Sequence, residues 1–168
     1  MKRNQTMRRG LSVLLSLVLC LSLLPATALA AEPVTETADF TEYGNHAEAL
    51  ALLNAAKTGE AESTWDSDTK TLTLNGVNFI TTNPTAVALP KGAKIVLAAG
   101  TENTITGVCD DTVPEKSYGI YVWGGDLTIE GSGQLTVTAG KSIKRSYGIY
   151  VYSGDLTITS GTVTANIG

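Results

Sequence analysis

Short runs that alternate between apolar and polar residues dominate the chain from about residue 61 onward. The clearest runs are residues 120–123, 127–129 and 135–137, and Gly, Asp and Ser residues separate them. Alternation with period 2 between turn-forming residues is typical of short β-strands that present one face to a core. The pattern therefore predicts many short strands with no helical stretch between them.

The strand-forming pattern is repeated along the chain. Residues 117–129 (SYGIYVWGGDLTI) and 146–158 (SYGIYVYSGDLTI) are identical at eleven of thirteen positions, at an offset of 29. A degenerate earlier copy aligns residues 86–89 with 119–122 and residues 94–97 with 126–129. Repetition at a fixed period indicates stacked structural repeats. We therefore expect an all-β solenoid, a parallel β-helix with coils of about 29 residues. An antiparallel sandwich or a β-roll is less favoured, because hairpins do not require near-identity at a long, fixed offset.

Stacked coils assign each side chain to a face and to a partner. In the two full copies, alternate apolar residues should point inward and stack in pairs, for example Ile120 with Ile149 and Leu127 with Leu156. The aromatic side chains of the same strands should then point outward. The expected outward set is Tyr121 and Trp123, lying above Tyr150 and Tyr152, with Tyr118 and Tyr147 beside them.

Residues 31–60 have a different pattern from the repeats. Residues 32–42 are acidic and contain Pro and Thr, which predicts a flexible leader. Asn45 and Glu48 have the spacing of a capping box, and an apolar stripe follows them. The members of the stripe are Ala49, Leu52, Leu53 and Ala56. We expect a short N-terminal capping helix that covers the first coil, because a solenoid needs its ends covered.

The first 30 residues have the features of a secretory signal peptide. Four basic residues precede an apolar run of about 14 residues, and Ala28 and Ala30 supply a small-x-small cleavage site. The run is shorter than the ~20 residues that a membrane-spanning helix needs. We therefore expect a secreted, extracellular or cell-surface protein in which residues 61–168 form the repeats. The chain stops at Gly168 inside a repeat, which suggests a fragment of a longer protein, with further domains of the same chain as partners.

Removal of the signal peptide makes the chain strongly acidic. Four of the 12 basic residues and none of the 16 acidic residues precede residue 31, so the remaining chain has a net charge of about −8. Such a charge disfavours a nucleic acid or an anionic membrane as partner. Cys109 is the only cysteine after residue 30, so an internal disulfide and a cysteine zinc site are both excluded there.

These motifs together resemble those of a known protein family. Trp65-Asp66, the segment 69–76 (TKTLTLNG), the segment 103–106 and the paired YGIYV…GDLTI repeats are similar to the secreted carbohydrate-binding β-helix domains of Gram-positive anaerobes and related adhesin-like repeats. The resemblance covers roughly residues 61–168. It implies a right-handed parallel β-helix, calcium bound at loops, and affinity for polysaccharides. The motifs are structural, so the resemblance assigns no binding residues.

The outward aromatic residues are the first candidate for ligand binding. Tyr121, Trp123, Tyr150 and Tyr152 would form a two-by-two patch at the spacing of neighbouring strands. Flat aromatic surfaces can stack on the apolar faces of sugar rings while their polar edges stay hydrated. The alternative is that the rings only stabilise neighbouring strands by cross-strand contact.

Asp126 and Asp155 are the candidate metal ligands. They occupy equivalent turn positions before a strand, so their carboxylates would stack across coils. Ca²⁺ prefers oxygen ligands, and a shared calcium ion is one interpretation. The other interpretation is local turn stabilisation, because Asp side chains often accept hydrogen bonds from nearby backbone amides.

The sequence does not favour an enzyme. Asp110 and Asp111 are the only adjacent acidic pair, and the single histidine, His46, is far from them in sequence. We expect a non-catalytic carbohydrate-binding module whose partner is a polysaccharide or cell-surface glycan, with Ca²⁺ as the one candidate cofactor. A structural or adhesive stalk is the alternative, and a polysaccharide lyase or hydrolase is less favoured.

Overall fold

Short strands form most of the structure. The computed structural model describes residues 32–109 and 115–168, so the predicted signal peptide and the Asp110–Asp111 pair lie outside the described residues. Within those ranges there are 13 strands, one α-helix and a 3₁₀ turn at Tyr43–Asn45. The elements in chain order are β1 Ala38–Asp39, α1 His46–Ala55, β2 Thr64–Asp66, β3 Thr71–Leu74, β4 Asn78–Thr81, β5 Thr85–Leu89, β6 Ala93–Leu97, β7 Glu102–Gly107, β8 Lys116–Trp123, β9 Leu127–Gly131, β10 Gln134–Ala139, β11 Arg145–Tyr152, β12 Leu156–Ile158 and β13 Thr162–Ile167.

The strands form three sheets. Sheet 1 has the order β1-β5-β8-β11, sheet 2 the order β13-β10-β7-β4, and sheet 3 the order β12-β9-β6-β3-β2. All neighbouring strands pair in parallel except β2, which pairs with β3 in the antiparallel sense. From β3 onward, consecutive strands belong to different sheets, and each strand from β3 to β10 pairs with the strand three places later in the chain.

The spacing between paired strands corrects the predicted fold class. The register offset is 29 residues for β8–β11 and for β9–β12, but it is 23 for β3–β6 and 34 for β6–β9. The prediction of a right-handed β-helix built throughout from coils of about 29 residues is therefore wrong. The observed fold is mostly β, with three sheets of parallel strands, one antiparallel strand and one short helix. The near-identical repeat covers two strand layers only, and the connections between the earlier strands vary in length.

Residues 86–89 of the degenerate copy pair as predicted, with Val87 opposite Ile120, but residues 94–97 pair in a different register from the one predicted. Ala93 rather than Ile95 lies opposite Leu127, a shift of two residues. A two-residue shift leaves every side chain on its original face, because the pleat repeats every two residues. The apolar pattern therefore cannot distinguish the two registers.

In the two full copies the predicted pairs are confirmed, and the predicted core face is confirmed in the first copy. Ile149 lies opposite Ile120, and Leu156 lies opposite Leu127. Ile120 and Leu127 are fully buried, in a single core cluster that also contains Phe79.

The helix is present where an apolar stripe predicts it, but it begins differently. Ala49 and Leu53 are buried in the core, and Leu52 and Ala56 pack against it. The predicted capping box is wrong, because the side chain of Asn45 makes no capping hydrogen bond. Asn45 already has helical backbone angles, since it ends the 3₁₀ turn, whereas a capping residue usually has an extended backbone.

The acidic leader contributes to the sheet instead of forming the expected flexible segment. Ala38 and Asp39 pair with Val87 and Ala88 of β5, and Phe40 is fully buried. Val34 forms an isolated bridge to Thr81. The leader thus contacts sheet 2 at Thr81 of β4 and pairs with sheet 1 at β5, which places Asp39 beside sheet 1.

Candidate functional site

An aromatic ladder covers the outer face of sheet 1. It is defined by six residues on the neighbouring strands β8 and β11, namely Tyr118, Tyr121, Trp123, Tyr147, Tyr150 and Tyr152. The predicted outward patch of Tyr121, Trp123, Tyr150 and Tyr152 is therefore brought together by the structure. Tyr118 and Tyr147, expected beside the patch, extend it to three levels.

Each level of the ladder is a stacked pair of rings. The ring centroids are 5.8 Å apart for Tyr121 and Tyr150, with an interplanar angle of 4°. Trp123 and Tyr152 stack at 5.3 Å and 19°. The levels also touch one another, because Tyr118 lies 4.9 Å from Tyr121 and 5.3 Å from Tyr150 between centroids. The ladder is thus a continuous aromatic surface.

A break in the strand alternation brings the third level onto this surface. Gly119 and Ile120 are consecutive buried residues, although alternate residues of a regular strand point to opposite faces. A Cβ atom at Gly119 would lie 2.3 Å from Cγ1 of Val137, so this position faces the core. Tyr118 on one side and Tyr121 on the other can then both lie on the outer face.

The ladder is most exposed at its Trp123 level. Trp123 is 63% exposed and Tyr152 is 47% exposed, whereas Tyr118 and Tyr121 are half-buried. Burial raises the pKa of Tyr118 above its ordinary value of 10.0, and the neighbouring phenols add to the effect. Burial also raises the pKa of Tyr121. These hydroxyls therefore stay neutral at physiological pH and are suited to hydrogen bonding with an uncharged ligand.

A groove of about 870 Å³ adjoins the ladder. Two small residues, Ala88 of β5 and Pro90 directly after this strand, lie between the aromatic rings of β8 and the polar residues that follow β1. One wall is therefore aromatic and the other is polar. The lining residues are Asp39, Thr41, Glu42, Lys70, Ala88, Pro90, Lys91, Tyr121, Trp123 and Gly124.

The polar wall of the groove was not predicted from the sequence. Asp39 and Glu42 belong to the segment expected to be a flexible leader, and Lys70 and Lys91 are isolated charges in turns. The pairing of Ala38–Asp39 with β5 brings the two carboxylates beside the ladder. A two-residue strand carries too little pattern to be recognised in the sequence, so no local signal would have found it.

The sequence that forms this site matches a known family. The family described as carbohydrate-binding domain-containing protein matches residues 55–166, about two-thirds of the chain. The chain belongs to this carbohydrate-binding family. No curated protein matches, and no solved structure matches. The matched segment of this carbohydrate-binding chain contains the whole ladder, whereas Asp39, Thr41 and Glu42 lie before it.

Asp126 and Asp155 lie in stacked turns, as the repeat predicts. Oδ1 of Asp126 accepts a hydrogen bond from the backbone N–H of Asp155 at 2.9 Å. The backbone carbonyl of Asp155 in turn accepts a hydrogen bond from the N–H of Leu127 at 2.9 Å. Asp126 therefore stabilises the turn, which is the alternative to calcium binding.

These two aspartates fit a calcium site poorly. Ca²⁺ takes about 6 to 8 oxygen ligands, and one carboxylate oxygen of Asp126 already accepts a backbone amide. Among the residues that the structure describes, no cluster of three or more His, Cys, Asp or Glu side chains could hold a metal ion. Calcium at Asp126 and Asp155 stays a prediction.

Within the described part of the chain, no helix is sufficiently long and apolar to cross a bilayer.

Proposed function

We propose that this chain is an exported, non-catalytic module that binds polysaccharide on its aromatic ladder. The membership of a carbohydrate-binding family supports the ligand class. The observation that carries the site is the set of three stacked aromatic pairs on one outer face, with the most exposed rings at Trp123 and Tyr152. Export is inferred from the sequence of residues 1–30.

The shape of the ladder suits a chain of sugars better than a single sugar. Aromatic rings follow one another at 4.9 Å to 5.9 Å along β8, from Tyr118 through Tyr121 to Trp123. The apolar faces of successive pyranose rings would contact these side chains, while the sugar hydroxyls remain accessible to water and to the tyrosine hydroxyls. A polysaccharide lying along this surface would contact several rings at once.

Replacing both exposed rings of the ladder tests the proposal. We expect Trp123→Ala with Tyr152→Ala to weaken binding of insoluble or oligomeric glycan at least about tenfold. Truncating aromatic side chains that a ligand buries costs about 2 kcal/mol or more of binding free energy. Affinity is measured by pull-down on insoluble polysaccharides and by titration with soluble glycans, with calcium and with a chelator.

Tyr43→Ala is the control for this experiment, because Tyr43 is 85% exposed and lies outside the ladder. Circular dichroism must show the same folded spectrum for both variants. If the ladder variant binds as tightly as the unaltered protein, the ladder is not the site. If folded, unaltered protein binds no glycan, the structural or adhesive stalk becomes the favoured function.

The same preparations test the non-catalytic part of the proposal. We expect no release of reducing ends or unsaturated products from the bound polysaccharide. If chromatographically pure protein still releases product at a steady rate, a purely binding function is contradicted.

A further inference from the structure

The groove beside the ladder has unused polar groups on a wall that faces aromatic rings. Oδ1 of Asp39 is already engaged, because it accepts hydrogen bonds from the backbone N–H and the hydroxyl of Thr41 at 2.8 Å and 2.6 Å. Nζ of Lys70 donates to the backbone carbonyl of Lys91 at 3.1 Å. Asp39 and Lys70 therefore shape the groove and keep part of their hydrogen-bonding capacity occupied.

Glu42 and Lys91 differ from that pair. Within the described ranges 32–109 and 115–168, the carboxylate of Glu42 and the ammonium group of Lys91 make no hydrogen bond or ion pair. Both side chains are exposed and both line the groove. The groove thus offers one free acceptor group and one free donor group next to the rings of Tyr121 and Trp123.

The charges of the groove indicate the kind of sugar it would take. Two carboxylates, Asp39 and Glu42, are offset by two ammonium groups, Lys70 and Lys91, so the lining has no net charge. A uronic acid or a sulfated sugar would gain no net attraction there, because the attraction of the two ammonium groups is offset by the repulsion of the two carboxylates. A neutral sugar hydroxyl can donate to Glu42 and accept from Lys91, and such charge-assisted hydrogen bonds are stronger than neutral ones.

The size of the groove fits more than one sugar residue. Its volume of about 870 Å³ lies near the upper end of the range for small-molecule sites. Because Tyr121 and Trp123 belong to both the ladder and the groove, a glycan chain can extend from one to the other without leaving the surface.

Resting on the proposed function, we propose that the groove is a second subsite of the carbohydrate site and selects neutral glycan chains. Glu42 accepts and Lys91 donates hydrogen bonds to hydroxyls of sugar residues whose apolar faces contact Tyr121 and Trp123. The groove sets the preference for uncharged chains, and the ladder supplies the sequence-tolerant stacking surface. Glu42 lies before the segment that matches the family and Lys91 lies within it, so the subsite combines residues from both parts of the chain.

Removing the two free charges tests the subsite. The double variant Glu42→Ala with Lys91→Ala is titrated with neutral cello-, xylo- and manno-oligosaccharides, as disaccharides and as hexasaccharides, and with oligogalacturonate. We expect about a tenfold loss of affinity for the best-bound neutral hexasaccharide, since hydrogen bonds to charged groups are the stronger class. The disaccharide, which fits on the ladder alone, should lose less.

The matched control removes one lysine and one glutamate from another sheet. Lys94 and Glu130, on β6 and β9, form an exposed ion pair at 3.3 Å outside the groove. The variant Lys94→Ala with Glu130→Ala has the same change in charge and should bind every glycan as the unaltered protein does. Amide chemical-shift changes at Ala88 and Lys91 on addition of the hexasaccharide would place the ligand in the groove directly.

The outcomes separate the two proposals. If the Glu42/Lys91 variant binds like the unaltered protein while the Trp123/Tyr152 variant loses binding, the groove subsite is wrong and the ladder stands. If the unaltered protein binds oligogalacturonate as tightly as neutral glycans, the preference for neutral chains is wrong. If the unaltered protein binds no glycan at all, the proposed function itself fails.

Discussion

At the scale of single residues, glycine controls how many aromatic rings reach the outer face. Gly119 and the equivalent Gly148 each face the core at a point where a side chain would collide with β10 or β13. For Gly119 the nearest atoms to an added Cβ are Cγ1 of Val137 at 2.3 Å and the carbonyl oxygen of Gly148 at 2.5 Å. The second of these is backbone, so the contact cannot be relieved by a rotamer change. The Tyr-Gly-Ile-Tyr sequence therefore depends on its glycine for packing.

Gly119→Ala should destabilise the protein through overpacking. We expect a loss of about 1–3 kcal/mol in the free energy of unfolding, measured by urea denaturation. Gly59→Ala is the control, because an added Cβ there meets nothing within 4 Å and its φ is not positive. Equal stability of the two variants would show that the strands separate easily at Gly119.

At the scale of elements, two strands of nearly identical sequence have different environments. β9 lies between β6 and β12, whereas β12 is the edge of sheet 3. Leu127 on β9 is fully buried, and the equivalent Leu156 on β12 is 43% exposed. The same short sequence thus contributes differently to stability because only one copy has a strand layer on both sides.

This pair of leucines gives an internally matched test. Leu127→Ala should lower the free energy of unfolding by about 2–5 kcal/mol, the range for a fully buried leucine. Leu156→Ala should cost less than half as much, because much of its surface is already in contact with water. Equal losses in urea denaturation would mean that the outer layer is covered in solution.

At the scale of the whole molecule, the two ends of the strand layers differ. At one end, helix α1 buries Ala49 and Leu53 in the core, and β1 and β2 pair with β5 and β3. At the other end, β11, β12 and β13 are the edge strands of the three sheets. Among the described residues, the exposed apolar side chains of that edge include Ile158 and Ile167, at 47% and 68% exposure. Exposed edges of this kind can pair with other strands.

Ionisation of two tyrosines of the aromatic ladder should lower the stability of the protein at high pH. The pKa of Tyr118 and the pKa of Tyr121 are both raised above 10.0 in the folded protein, so folding favours their neutral forms. Stability from this source is fully present below the unfolded pKa of about 10 and is lost as the pH rises through the higher folded values. We expect the melting temperature to fall more steeply above about pH 10 than in the variant Tyr118→Phe with Tyr121→Phe. Parallel slopes for the two proteins would contradict this linkage.

The sequence predicts those features of the fold that depend on residues close together in the chain or on repeated segments. Alternation within strands is local, so the burial of Ile120 and Leu127 and the outward position of Trp123 were predictable. Near-identical repeats also specified the register of β8 with β11, because a copy pairs best with its equivalent residues. The four predicted aromatic residues of the ladder followed from these two facts. The start of helix α1 was not predictable, because the preceding 3₁₀ turn replaced the expected cap.

The sequence by itself thus determined the strands, their faces, the repeat layers and most of the ladder, since those features depend on local period and repetition. Only the tertiary structure decided the spacing of the earlier strands and the existence of the groove. The degenerate copies tolerate a two-residue shift without changing faces, so pattern alone cannot set their register. The groove requires Asp39 to lie opposite Ala88, 49 residues later in the chain. A contact between such distant and short segments is stabilised by the completed core around Phe40, which no local pattern encodes.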